Sequence, residues 1–258
     1  MFLKLNWIGI HAADFERSLQ FYTEILGIRA SDVKPDWAYM ETTGMVFELF
    51  GDREQPASDQ FTWGHGQPVR PSIQVADLHE TIATLHQRGV QFTTDIEQTS
   101  YGEKIEFAAP ENRRWTLIHA PNYPASANLN KPHIGWLELK VNRLAEQQQF
   151  YNEILGLQPV DGENGQVLLR QSPGEPILIL ESGGQRAAPF QIKENMLQPL
   201  PSHLMSVETD HIEEAAKWMK SHKVPILTEI TRKEWGGVDF YITDLDGNPI
   251  QIVQYIKQ

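Results

Sequence analysis

The sequence predicts an α+β protein assembled from four modules, each a strand, a helix and further strands. Three observations carry this. The stretch FYTEILGI at Phe21–Ile28 returns as FYNEILGL at Phe150–Leu157, with six of eight letters unchanged. A second repeat, VADLHETIATLHQRGV at Val75–Val90 and ETDHIEEAAKWMKSHKV at Glu208–Val224, is interleaved with the first. Each copy is flanked by short runs in which apolar and polar residues alternate, bounded by turn residues, which is the signature of half-buried strands.

Module one opens on the strand NWIGI (Asn6–Ile10). Asp14 then stands where it can cap a helix carrying Phe15, Leu19, Tyr22 and Leu26 on one face, with Gly27 to stop it. In module two an Asp-x-x-Glu capping box, Asp77 to Glu80, precedes the stripe Leu78, Ile82, Leu85. Its strands, around SYGEKIEF and RRWTLIH, meet at the turn APENR. Module three repeats module one: the strand WLELKV (Trp136–Val141), Asn142 as cap, Leu144, Tyr151 and Leu155 as stripe, Gly156 as stop. Module four repeats module two, with a box from Asp210 to Glu213 before Ile212, Ala216 and Met219. The turn DLDGN then joins EWGGVDFY to NPIQIVQ, and its Asp246–Gly247 pair favours a hairpin.

The Pro- and Asn-rich stretch APNYPASANLNKP (Ala120–Pro132) reads as a linker between halves. GDREQPASDQFTWGHGQP and SGGQRAAPFQ separate the modules inside each half. The expected domains are residues 1–122, with modules 1–67 and 68–122, and residues 131–258, with modules 131–200 and 201–258.

Of 258 residues, 40% are hydrophobic and 22% charged, enough apolar mass for two ordinary cores. A net charge of −12 disfavours phosphate backbones and anionic lipid, so neither nucleic acid nor a membrane surface is an expected partner. The absence of cysteine excludes disulfides, thiol nucleophiles and thiolate metal sites. The opening MFLKLNWIGIHAADF does not read as a signal peptide, and no apolar run approaches spanning length, so a cytoplasmic location is expected.

DFERSLQFYTEILGI, DLHETIATLHQRGV and WGGVDFYITDLDGNPIQIV, in their fourfold arrangement, resemble the vicinal oxygen chelate superfamily. That family includes glyoxalases, bleomycin- and fosfomycin-resistance proteins and extradiol dioxygenases. The resemblance implies four βαβββ modules forming two tandem half-barrel domains, each curved sheet surrounding a ligand cavity. It also implies, in catalytic members, one divalent metal held by His and Glu or Gln from the first and last strands of paired modules.

The family's first-strand ligand sits seven residues before the helix-capping Asp. That position holds Trp7 in module one, Arg70 in module two and, with Arg143 taking the Asp position counted back from Phe150, Trp136 in module three. Module four gives His203 when counted from Asp210 and Leu204 when counted from the helix stripe and Gly236. Alternation favours Leu204, because that register buries Met205 and leaves Ser206 and Glu208 on the polar side. The last strands offer Glu48, Thr116, Ile179 and Gln251. Pairing modules one with two, or three with four, yields no three-ligand set, so the usual metal site reads as lost and no cofactor is favoured. Pairing one with four and two with three, in the His203 register, would gather Glu48, His203 and Gln251 for a single Fe, Mn, Ni or Zn.

Among cavity-facing residues, Trp7 and Trp136 read either as stacking platforms for a planar ligand or as fillers of disused space. Arg70 reads as an anion clamp or as the partner of Glu48. Glu138 and Lys140 admit the same neutralising pairing, with each other or with Glu208. His11, near Glu48, reads as the candidate general base of a His–Glu dyad or as a hydrogen-bonded wall residue. Tyr101 and Trp235, at equivalent spots before Gly102 and Gly236, read as gates of the cavity mouths or as shields of the sheet edges. The expected function is binding of a small organic, aromatic ligand by a monomer or homodimer. The alternative is a metal-dependent ring-cleaving dioxygenase or glyoxalase-type lyase.

Overall fold

The computed structural model describes residues 1–51, 69–123, 131–162, 165–184, 191–193, 196–198 and 203–256. Most of the Ala120–Pro132 linker and both inter-module loops lie outside them. Module one comprises β1 (Phe2–Ala12), α1 (Phe15–Gln20) running into a wider turn at Phe21–Ile25, β2 (Ala30–Lys34), β3 (Trp37–Met40), β4 (Thr43–Gly44) and β5 (Val46–Gly51). Module two comprises β6 (Arg70–Gln74), α2 (Leu78–Gln87), β7 (Glu97–Thr99), β8 (Gly102–Ala109) and β9 (Arg113–His119). In module three, β10 (His133–Val141) and α3 (Leu144–Glu153) precede β11 (Gln158–Asp161), β12 (Gln166–Arg170) and β13 (Ile177–Ser182), with the ribbon β14 (Gln191–Lys193) and β15 (Met196–Gln198) after them. Module four comprises β16 (His203–Thr209), α4 (Ile212–Ser221), β17 (Thr231–Arg232), β18 (Gly237–Thr243) and β19 (Pro249–Tyr255). The fold is α+β, with curled half-barrel sheets in two tandem domains.

Two compact units divide the chain: Met1–Trp7, Trp63–Val69 and Glu138–Gln258 in the first, Ile8–Thr62 and Arg70–Leu137 in the second. In the first unit the order β17-β18-β19-β16 is continued by residues 2–7 of β1, and β11-β12-β13 by the end of β10. In the second unit, β2-β3-β5 is followed by residues 8–12 of β1, and β7-β8-β9-β6 by residues 133–137 of β10. The first strand of module one thus serves the sheet of module four, and that of module three serves the sheet of module two. β4 adds a short parallel bridge to β10, with Thr43 opposite His133.

Strand alternation builds the cores. In the second unit Ile8, Ile10, Ala38, Met40, Phe47 and Leu49 are buried together with Tyr22, while Trp37, Tyr39, Glu48 and Phe50 on the other face are half-buried. In the first unit Met205, Val207, Phe240, Ile242, Ile250 and Ile252 are buried with Met219 of α4.

Helix starts differ from expectation in one repeat of each kind. Asp14 accepts from the Arg17 N–H (3.0 Å) and Asp77 from the Glu80 N–H (2.8 Å), as capping requires. Asn142 and Asp210, however, do not cap. The N-cap residues are Arg143 and His211, neither with a side-chain bond. The Ile212 N–H, an orphan donor in the first turn of α4, donates to Gln254 Oε1 of β19 (2.9 Å), and the Asn142 N–H, just before α3, donates to Asp246 Oδ2 (2.8 Å). Gly27, Gly89 and Gly156 follow their helices with positive φ, whereas Lys223 takes that conformation after α4. Among the described residues no helix is long and apolar enough to cross a membrane.

Candidate functional site

The inward face of the module-two sheet is packed with its own side chains. Arg70, Ser72 and Gln74 alternate along β6, and Ser72 lies opposite Thr116 of β9. Trp136, 1% exposed, donates from Nε1 to Gln74 Oε1 (3.1 Å), and Gln74 Nε2 donates to the Tyr123 carbonyl (2.6 Å). The Trp136 ring lies 5.2 Å from Tyr101, itself 0% exposed, and 5.5 Å from Tyr123, edge to face. Such a stack excludes a second planar molecule by volume.

Arg70 forms its ion pair with Glu106, which also receives Arg114 at 3.0 Å. Glu106 lies on β8, the strand next to β9, far along the chain from Arg70. A permanent cation at Arg70, an indole N–H at Trp136 and a buried hydroxyl at Thr116 give a divalent metal no strong donor here. Glu138, two residues beyond Trp136, is fully buried in the other unit, while Lys140 is exposed.

On the module-one strands of the second unit, Tyr39 is opposite Glu48 and Trp37 opposite Phe50. The His11 ring stacks on Phe50, with centroids 5.0 Å apart and planes 20° off parallel. Burial, followed by the nearby Arg113 guanidinium, lowers the His11 pKa from 6.5 to about 4. The imidazole is therefore neutral at pH 7 and a weak base, not one tuned near neutrality. Arg113 also donates to the His11 carbonyl and pairs with Glu111 at 2.5 Å, both side chains being buried. Glu111 in turn accepts from the Asp14 N–H (2.9 Å). This clasp fixes the exit of β1 and the start of α1.

The first unit holds a third polar group of residues. Ser206 of β16 is paired with Gln251 of β19, which is opposite Tyr241 of β18. That register puts Ser206 and Glu208, not Met205 and Val207, on the face of Gln251, as the Leu204 alternative requires. The side chains of His203 and Leu204 themselves lie outside those described. Gln251 Nε2 donates to Asp239 Oδ2 (2.6 Å) and, at 3.5 Å, to the Tyr241 hydroxyl oxygen. Lys233 Nζ sits 3.2 Å from Asp239 Oδ1. Burial raises the Asp239 pKa against the opposing pull of Gln251 and Lys233, and burial followed by Asp239 raises that of Tyr241. Trp7, on the same unit's stretch of β1, is half-buried. Trp235 is 52% exposed, with its ring 5.5 Å from Tyr255, so it stands at the rim where its counterpart Tyr101 is tucked in.

Asp239, Tyr241 and Lys233 were missed from the sequence. The i, i+2 spacing of Asp239 and Tyr241 after Gly237 was the available signal. Among the described residues no group of three or more His, Asp or Glu side chains is placed to hold a metal.

The family profile of the glyoxalase/bleomycin resistance protein/dioxygenase superfamily matches residues 4–117 and 133–252. This chain belongs to that superfamily. Its fold is that of glyoxalase I from Zea mays, with a TM-score of 0.71 at 16% identity, covering 98% of this chain and 93% of the maize protein. In sequence, it is 24% identical over 148 residues to a trivalent organoarsenical cleaving enzyme from Bacillus sp. (strain MD1), spanning 51% of this chain and 87% of that enzyme. Superfamily membership fits the tandem modules.

Proposed function

We propose that this superfamily member binds a small organic, aromatic ligand on the inward face of its module-four sheet, at Trp7 and the Gln251–Asp239–Tyr241 array, without the family's metal. The observation that carries the reading is the contrast between two equivalent tryptophans. Trp136 is sealed by Tyr101, Tyr123 and Gln74, whereas Trp7 stays half-buried beside a face that keeps polar groups in place. A half-open aromatic with a few fixed polar partners suits a planar, neutral or cationic ligand.

A trivalent arsenical would find no thiolate here, since the chain has no cysteine, so the Bacillus relative's substrate is not carried over. The rival reading is a dioxygenase or glyoxalase-type lyase with Fe, Mn, Ni or Zn on Glu48, His203 and Gln251.

A fluorescence-detected screen of aromatic ligands separates these readings when combined with elemental analysis of protein purified without chelator. We expect hits that Trp7→Ala abolishes and Trp136→Phe leaves in place, with metal well below one per chain. Stoichiometric metal retained by the wild type and lost in Glu48→Ala would favour the rival.

A further inference from the structure

The amide of Gln251 is oriented by its neighbours on β18. Both Nε2 bonds run to β18: one to the Asp239 carboxylate at 2.6 Å and a longer one to the Tyr241 hydroxyl oxygen. Because amide nitrogen and oxygen lie at opposite corners of one plane, Oε1 is turned away from β18. On the other side, across the β16–β19 pairing, is Ser206. Its Oγ is 1% exposed and has no hydrogen-bond partner among the described residues.

Turning the amide over would set Oε1 against the Asp239 carboxylate, which accepts but does not donate. Lys233, 3.2 Å from Asp239 Oδ1, favours the charged carboxylate against the opposing effect of burial. Asp239 is 2% exposed, so its field on the amide is little screened, and donation to it polarises Oε1 into a stronger acceptor.

We propose that Gln251, positioned by Asp239, is a fixed acceptor that recognises an N–H group on the aromatic ligand, an aryl amide or amidine nitrogen, and discriminates against carboxylates. Ser206 completes the subsite as a second, hydroxyl partner for the same group. The proposal rests on the ligand-binding reading above, and the test separates the two.

The probes are four molecules of one shape: benzamide, benzamidinium, acetophenone and benzoate. Their binding is followed by ligand-observed NMR on the full chain, with Trp7→Ala as the control for location. Benzamide and benzamidinium should bind about fivefold tighter than acetophenone, the ratio expected from one hydrogen bond, and benzoate weakest. Gln251→Leu should bring that ratio to about one.

Asp239→Asn supplies the readout that a merely structural role would not move. An amide at position 239 can donate to Gln251 Oε1, which lets the amide turn over. Acetophenone should then match or exceed benzamide while the melting temperature stays close to wild type. Trp7-dependent binding without donor preference in the wild type overturns this inference and leaves the ligand-binding reading standing. A preference that chelator removes also overturns it, because Gln251 would then be serving a metal. Failure of all four probes to give a Trp7-dependent signal overturns both.

Discussion

At His11 the fold keeps an imidazole neutral by stacking it on Phe50 within reach of the Arg113 charge. The consequence for stability follows from linkage. A base whose folded pKa lies below its unfolded value binds fewer protons when folded, so stability is full above 6.5 and falls as pH drops toward about 4. Urea denaturation at pH 7 and pH 5 should show the wild type losing about 1–2 kcal/mol more than His11→Gln, allowing for partial exposure of the ring. An equal loss in both proteins would mean that the imidazole titrates normally. The alternation that placed His11 inward was legible in the sequence. The partner that depresses its pKa was not, because Arg113 arrives from another module through a clasp with no local pattern.

Two elements repeated in sequence are held in place by turns from their partner modules, and these turns explain why the FYxEILG ending was kept twice. Tyr22 is buried against Phe47 and Trp115 in the second unit. Tyr151 is buried in the first, donating to Asp244 Oδ2 at 3.1 Å. The module-two turn grips the start of α1 through Glu111, and the module-four turn grips the approach to α3 through Asp246. Glu111 carries this at a cost in backbone strain, with φ at +61°. Replacing it, Glu111→Gln, leaves the buried Arg113 without that carboxylate and should lower stability by about 3–5 kcal/mol in chemical denaturation. The double variant with Arg113→Met should recover most of the loss. A loss under ~1 kcal/mol in the single variant would show that the pair is dispensable. Asp14 and Asp77 are readable as caps because their carboxylates accept from the N–H three residues on, whereas the N–H groups at Asn142 and Ile212 find acceptors far along the chain, in Asp246 of the module-four turn and Gln254 of β19.

Across the whole molecule, the two equivalent inward faces have diverged. The module-two face has become core, with Trp136 bonded to Gln74 and stacked on Tyr101. Trp136→Ala should therefore cost about 3–5 kcal/mol of folding free energy, the range for a buried large aromatic. Trp7→Ala should cost less than half of that. Thermal and urea melts of the two variants side by side check the ordering, and equal losses would remove the distinction between a filled face and an open one.

The sequence by itself determined the four modules, the superfamily, two of the helix caps and the alternation of buried and half-buried residues along β3 and β5. All of these depend on spacing within a dozen residues, where helix and strand periods leave their mark. Only the tertiary structure decided which strands lie side by side, that Arg70 meets Glu106, and that Asp239 orients Gln251. Pairing between segments far apart in the chain is set by packing and charge satisfaction in three dimensions, and a one-dimensional pattern holds no record of it.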